Sequence, residues 1–350
     1  MDLLRVAALQ LRSENGRVHD NLEHARPFIR RAVAEGARLL LLPEFYSTGY
    51  LQSPEVWHGA ETLAGPTVRF MSEEASRGNV FLGASILEVE GEDFFNTFVL
   101  VSPGGKVDRV RKRRAPSYEA YWFRGSGDDP CVIDCSLGRI SVGICADNHF
   151  NDMARCIEDA RAQLHLMPHC YCVGKANRWS FPRSLIESSR RQVEGLPVRY
   201  ARHFGVPVVL ANQCGPWESP LPGLMGMMVK SDRFLGRSSI VSAEGEKLCS
   251  LDDEEEGVIV ETVELRSANY EGDERRITSA QGAWGWSSLG EPAFATASLA
   301  LKIGAMEWLG RRAYEGSVER RRCARRVEAE MSRLEDLPVE HARGARRGTP

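Results

Sequence analysis

Over residues 1–265 short apolar runs alternate with longer segments whose apolar positions recur every three to four residues. Leu3 to Leu11 (LLRVAALQL) is an apolar run that reads as a first strand. A helical pattern follows from about Asn21 to Glu35, and Pro27 inside it predicts a kink or a late start. ARLLLLPEF supplies the next strand, Ala37 to Pro43, so the chain opens β–α–β. Uninterrupted apolar strands such as LLLL suit a sheet covered on both faces. A second helix is predicted from Pro66 to Ser76, then two strands, NVFLGASILEV and NTFVLVS. Ser102 to Gly105 (SPGG) is a hairpin signal leading into KVDRVRK. A strand over 138–145, a helix from about Asn151 to Arg161 and the strand QLHLMP come next. A long polar insert and helix run from Lys175 to His203, and VPVVLANQ, FLGRSSIVSAEGEKL and GVIVETVEL add three more strands. Strands mixed with helices in this way predict a layered α/β sandwich.

The pattern changes after residue 265, which divides a body, 1–265, from an extension, 266–350. Residues 266–290 are loop-like. Pro292 to Leu309 is apolar and helix-compatible, Ser317 to Leu334 reads as a highly charged helix, and HARGARRGTP reads as disordered. Lys302 and Glu307 interrupt the apolar stretch, which is too short for a membrane span. It is expected to pack on the body or on a partner subunit; a basic amphipathic segment lying on a membrane is the alternative.

Bulk properties narrow the class. A hydrophobic share of 43% in 350 residues permits a sizeable core. A net charge of -3 argues against a protein built to grip nucleic acid. The nine cysteines are odd in number and irregular in spacing. MDLLRVAALQLRSENG lacks the basic-then-apolar order of a secretory signal. Free thiols in a reducing cytoplasm are therefore expected. Cys170 and Cys172 lie one residue apart with no second pair at zinc-site spacing, so no metal site is expected.

Three segments share one feature: a strand ends and a reactive group follows. Glu44 comes directly after LLLLP, beside apolar Leu42 and Phe45, where a partly desolvated carboxylate is a usable base near neutral pH. Lys112 sits among basic neighbours in KVDRVRKRRAP, and Cys145 follows SVGI and precedes Ala146 and Asp147. Taken singly these read as a solvated loop acid, a solvated basic strand and a buried structural thiol. Together they supply a nucleophile, a proton acceptor and a cation that lowers a thiol pKa. The Lys112 ammonium and the Ala146 N–H are candidate donors to a developing oxyanion. A Cys145–His149 pair is the rival arrangement, but no second histidine or asparagine completes a papain-like set.

Glu44 in LLLLPEF, Lys112 in VRKRRAP and Cys145 in VGICADNHF stand in the order and context of the nitrilase, or carbon–nitrogen hydrolase, superfamily, which the chain resembles over roughly residues 3–265. GARLLLLPE, the NTF after Phe95, SPGGKV, Glu119 with Phe123 and Gly125, ANQCG and FLGRSSIVSAEGE agree with it. The resemblance implies a four-layer α-β-β-α sandwich, here with a C-terminal helical extension, that associates into homodimers or larger assemblies. It implies Cys145 as nucleophile, Glu44 as general base, Lys112 as oxyanion stabiliser and Glu119 as the second glutamate that orients the lysine. No cofactor is implied. The substrate expected is a small linear amide or carbamoyl compound, cleaved through a thioester; acyl transfer to an amine, nitrile hydrolysis and a catalytically silent scaffold are the alternatives.

The departures bear on the substrate. Asn151 and Asp152 replace the Pro-Glu usual in relatives, although Phe150 and Arg155 fit. Asn148 and His149 stand where relatives that cleave N-carbamoyl amino acids carry an arginine for the substrate carboxylate, so a substrate held by its carboxylate at that point is not expected. Cys-Ala-Asp, where true nitrilases read Cys-Trp-Glu, looks more like the amide-cleaving branches. Tyr50, Tyr118, Trp122, Asn148, His149, His169 and Cys170 are the candidate pocket residues, with Tyr171 as a further aromatic.

Overall fold

The computed structural model describes residues 2–127, 129–174, 183–220, 229–252, 255–266 and 297–335. The first half of the body runs β1 (Asp2–Gln10), α1 (Val18–Ala34), β2 (Leu39–Leu41), α2 (Pro66–Gly78), β3 (Phe81–Glu90), β4 (Asp93–Val101) and β5 (Val107–Arg111). The second half runs β6 (Val132–Cys135), β7 (Gly138–Val142), α3 (Asn151–Ala160), β8 (Leu164–His169), β9 (Cys172–Gly174), α4 (Arg183–Phe204), β10 (Val208–Asn212), β11 (Cys214–Pro220), β12 (Val229–Leu235), β13 (Ser239–Val241), β14 (Lys247–Ser250) and β15 (Gly257–Leu265). Two helices follow, α5 (Ala297–Gly316) and α6 (Val318–Glu335).

Two six-stranded sheets form, in the orders β15-β1-β2-β3-β4-β5 and β14-β13-β10-β8-β7-β6. The alternation along each strand explains why they stack. In β2, Leu40 joins the layer of α1 and α2 with Ile29, Ala32 and Met71. Leu39 and Leu41 join the layer between the sheets, with Val142, Leu164, Leu166 and Val209. In β10, Val208 and Leu210 turn the other way, toward Met153, Ile157, Leu196 and Tyr200 of α3 and α4. Period-2 side chains that are apolar on both faces require cover on both. Leaving one such leucine in water would forgo roughly 1.5–3 kcal/mol. The result is the expected α-β-β-α sandwich.

Strands β1, β2 and β3 are parallel, as are β7, β8 and β10. Their carboxyl ends are where an open α/β sheet binds ligands. Glu44 lies beyond the end of β2, Cys145 beyond β7, and Cys170 follows β8 directly.

Several expectations need correction. Helix α1 begins at Val18 and runs through Pro27 without a break, because Leu22, Ala25, Ile29 and Ala32 all bury on the sheet. The strand predicted over 138–145 stops at Val142, and the chain turns sharply before the cysteine. β11 went unpredicted because Pro216 and Pro220 argue against a strand; it is an edge strand of a small third sheet, β11-β12-β9, where proline is tolerated. The nine cysteines are not all free: Cys131 and Cys156 form a disulfide between the β6 side and α3, and the other seven are free thiols. Their irregular spacing carried no sign of that pairing, and a disulfide is at odds with the expectation that every thiol is free in a reducing compartment. The start of the polar insert (175–182), the loop-like stretch beyond Arg266 and HARGARRGTP lie outside the described residues.

The extension packs on the body. Tyr314, Ala324, Val327 and Met331 enter one apolar cluster with Trp57, Leu87, Phe94 and Trp122. The Tyr314 hydroxyl accepts from Phe94 N at 2.8 Å and donates to Asp93 at 3.1 Å, and Arg320 reaches Asp93 at 2.6 Å. Among the described residues no helix is long and apolar enough to cross a membrane. Helix α5 also crosses the 3-10 turn Ser117–Tyr121 at Gly310, where a Cβ would stand 2.7 Å from the Tyr121 ring and 3.0 Å from Ala120 backbone. Helix propensity alone predicts that Gly310→Ala stabilises α5 by about 1 kcal/mol. The close approach predicts the opposite sign, so Gly310→Ala is expected to lower the melting temperature; an increase would show that α5 does not sit this tightly.

Candidate active site

Three left-handed, non-glycine residues mark where the chain is bent to deliver its reactive groups. Phe45 (φ 51°) follows Glu44, Ser117 (φ 53°) opens the turn that carries Glu119, and Cys145 itself has φ 47°. Such a conformation costs of order 1–3 kcal/mol per residue and persists where the surroundings enforce it. Here they do. The Glu44 N–H donates to the His169 carbonyl, and the Glu44 carbonyl accepts from Gln213 Nε2 at 2.7 Å. Asp147, two residues after the cysteine, accepts from the N–H groups of Arg113 and Arg114. That pair of bonds ties the cysteine turn, Cys145–His149, to the chain that follows Lys112.

At the centre lies an ammonium with no exposure to water. Lys112 Nζ donates to Glu44 Oε1 at 2.8 Å and to the two Glu119 oxygens at 3.0 and 2.8 Å. Asn96 Nδ2 donates to the same Glu44 Oε1 at 2.7 Å, and the Asn96 carbonyl accepts from Lys112 N. Tyr50 OH donates to Glu119 Oε1 at 3.0 Å. The other Glu44 oxygen, Oε2, accepts from the Cys170 N–H at 3.0 Å and the Cys170 thiol at 2.8 Å. Donor atoms of Glu44, Cys145 and Cys170 all lie within 4.8 Å of one another. The sulfur, the acid and the cation predicted from three distant strand ends therefore meet in one buried place.

The family model described as carbon-nitrogen hydrolase matches residues 5–269. The chain belongs to the carbon–nitrogen hydrolase family. A nitrilase of Pyrococcus abyssi is 26% identical over 266 residues, covering 75% of this chain and 90% of that protein. Omega-amidase NIT2 of Pongo abelii is 29% identical over 180 residues, 48% of this chain and 63% of that protein. Among solved structures, a glutamate-to-glutamine mutant of the amidase from Nesterenkonia sp. AN1, with the acetamide moiety of fluoroacetamide added covalently at its active-site cysteine, aligns with a TM-score of 0.59. That structure is 25% identical, and the match covers 78% of this chain and 94% of that one.

In this carbon–nitrogen hydrolase the electrostatics follow from burial. Desolvation pulls the Lys112 pKa down, but the charges of Glu119 and Glu44 outweigh it and hold the ammonium well above its ordinary value. Burial pushes Glu119 up to about 7 against the opposing pull of Lys112. A hydrogen bond from Cys170 draws the Cys145 thiol down; burial and the Glu44 charge more than reverse that, so its net shift is upward. Burial raises Cys170 well above an ordinary thiol.

The other predicted residues separate into two groups. Tyr50 and Cys170 join the site directly. Ala146 follows the cysteine in its turn, and half-buried Tyr118 lies on the turn of Glu119. Asn148 is buried, and its side chain is engaged with the backbone of the turn. It braces the turn from behind, donating to the carbonyls of Gly143 and Cys145 and meeting His165 Nε2 through Oδ1. Gly143 has no room for a Cβ, which would fall 2.0 Å from that Oδ1. The His169 ring approaches the Asn148 amide at 3.2 Å, and burial drives its pKa well below the usual range, so it is a neutral supporting group. His149 is buried, with its ring 6.3 Å from Tyr171. Trp122 packs edge-on against Trp57 in the cluster beneath α6. Asn96, Asp147 and Gln213 were missed as site residues, although the NTF and ANQCG segments that contain two of them had stood out.

Asp147 yields a stability prediction. Burial pushes it up to about 7, against Lys112 and the two N–H donors, which pull it down. An acid with a folded value above its unfolded one, near 4, holds its proton more tightly in the folded chain. Its stabilising contribution is present below about pH 4 and is lost as the pH rises to about 7. Asp147→Asn removes that loss. Urea unfolding is expected to show the variant gaining on the wild type by about 2 kcal/mol between pH 5 and pH 8; a gap that does not move with pH would contradict it.

Proposed function

We propose that this enzyme cleaves the C–N bond of a small linear amide or carbamoyl compound through a thioester on Cys145. The observation that carries the reading is the shared hold on Glu44: one oxygen is fixed by Lys112 and Asn96, the other accepts from the Cys170 thiol, and the Cys145 sulfur lies within 4.8 Å of the same carboxylate. A carboxylate so placed can take a thiol proton without losing its orientation. The similarity to an omega-amidase and to the Nesterenkonia amidase supports an amide, while the similarity to the Pyrococcus nitrilase keeps a nitrile as the alternative.

The chemistry is two half-reactions. Cys145 Sγ forms a bond to the carbonyl carbon while its proton passes to Glu44. The carbonyl oxygen gains charge near the Lys112 ammonium, which stays protonated because both flanking carboxylates hold it so. Glu44 returns the proton to the departing nitrogen, and the C–N bond breaks. Water then loses a proton to Glu44 and attacks the thioester; the S–C bond breaks, the thiol is restored and an acid leaves.

A screen of primary amides, ureido compounds and nitriles is expected to give acid and ammonia in equal amounts from a primary amide, or amine, carbon dioxide and ammonia in equal amounts from a ureido substrate. Cys145→Ala and Glu44→Gln should each reduce turnover by at least about 1,000-fold while the protein stays folded. Intact mass of the wild type during turnover should show the acyl group on Cys145. Hydrolysis by Cys145→Ala at the wild-type rate would overturn the assignment, and an acyl product formed only with an added amine would replace hydrolysis by transfer.

A further inference from the structure

The catalytic scheme uses one thiol, yet the site contains two. Cys170 has only 3% of its surface exposed, and its sulfur lies 2.8 Å from Glu44 Oε2, on the same carboxylate that serves Cys145. Cys172, two residues on, lies in β9 at the edge of the small sheet; the sulfur grouped with that of Cys170 around Glu44 belongs to Cys145.

We infer that Cys145, Cys170 and Glu44 form a binding site for a soft divalent cation such as zinc or cadmium, and that loading it reversibly switches the enzyme off. The donor set is two thiols and a carboxylate, which such ions take in preference to harder ones. A tetrahedral zinc with bonds of about 2.3 Å to sulfur and 2.0 Å to oxygen needs donors roughly 3.5–3.8 Å apart. The three donors here already lie within 4.8 Å, so small rotations of side chains close the set. Glu44 can bind through Oε2 alone, leaving its Oε1 bonds to Lys112 and Asn96 intact.

The charges balance as well. Two thiols lose two protons to solvent as one divalent cation forms two metal–sulfur bonds, so the net charge of the buried site does not change. This avoids the cost that an added buried charge would impose. Water fills the fourth position. The bound ion removes the nucleophile and the base together, which a single-thiol ligand would not do. The inference deepens the reading of Cys145 and Glu44 as catalytic, but the binding itself stands on geometry alone.

Cadmium titrated into metal-free full-length protein, with the Cys131–Cys156 disulfide kept intact, tests it, read by the ultraviolet cadmium–thiolate absorption and by equilibrium dialysis. One tight cadmium per chain is expected. Cys170→Ser should weaken it at least tenfold, since even residues behind the ligands are worth about 10–100-fold in metal affinity, and should diminish the thiolate band. Cys145→Ala should do the same and serves if Cys170→Ser does not fold. Amidase activity should fall in step with loading and return with a chelator. Cadmium binding unchanged in Cys170→Ser or in Cys145→Ala would overturn the site. Because binding is read without substrate, an inactive protein that still binds cadmium through both thiols would refute the catalytic reading and leave the metal site standing.

Discussion

A single ammonium, wholly removed from water, organises this molecule. Lys112 sits between two carboxylates and contacts three of their oxygens. Burying any one of these charges alone would be prohibitive, and removing one partner of a buried pair costs about 3–5 kcal/mol. The group is formally two acids against one base; burial first, and then the charge of Glu44, push Glu119 up to about 7 against the pull of Lys112. Glu44 and Lys112 are kept in place from outside the pair, by Asn96, the Cys170 N–H and Gln213. Tyr50 adds a hydrogen bond to Glu119.

The sandwich makes this possible by bringing parallel strand ends from two sheets to one place. β2 delivers Glu44, β7 the cysteine, and β8 the backbone that meets Glu44. Each delivery needs a sharp turn, and the left-handed residues Phe45, Ser117 and Cys145 supply it. The surroundings repay that strain through bonds such as those of Asp147 to the Arg113 and Arg114 N–H groups. The extension reaches the same machinery from outside: Glu307 of α5 accepts from Ser117 N, at the start of the turn that bears Glu119. A segment beyond the matched family region thus lies one turn from a site residue.

Much of this was legible in the sequence. LLLL announced a strand covered on both faces, and the reactive groups after it, after KVDRVR and after SVGI announced a shared site. What was not legible depends on contacts that spacing does not encode. Proximity to Cys145 in the chain does not encode the bonds of Asn148 to Gly143 and His165. Cys170 was seen beside Cys172 in the chain, while in space its partner is Cys145. The Cys131–Cys156 disulfide spans 25 residues with no framework spacing to betray it. β11 carries two prolines and survives as a strand only because it is an edge. The fit of Gly310 against Ala120 and Tyr121 joins segments far apart in the chain.

The site requires Lys112 to be a charged group at every pH where the enzyme works. The chain has six lysines, few enough for each side-chain signal to be followed by nuclear magnetic resonance after lysine labelling at the carbon next to Nζ. The signal lost in Lys112→Arg identifies the residue. It should remain that of an ammonium as the pH is raised past the ordinary lysine range near 10.4, after the exposed lysines have titrated. A neutral amine at Lys112 near pH 8 would contradict the ion-pair centre on which the rest is built.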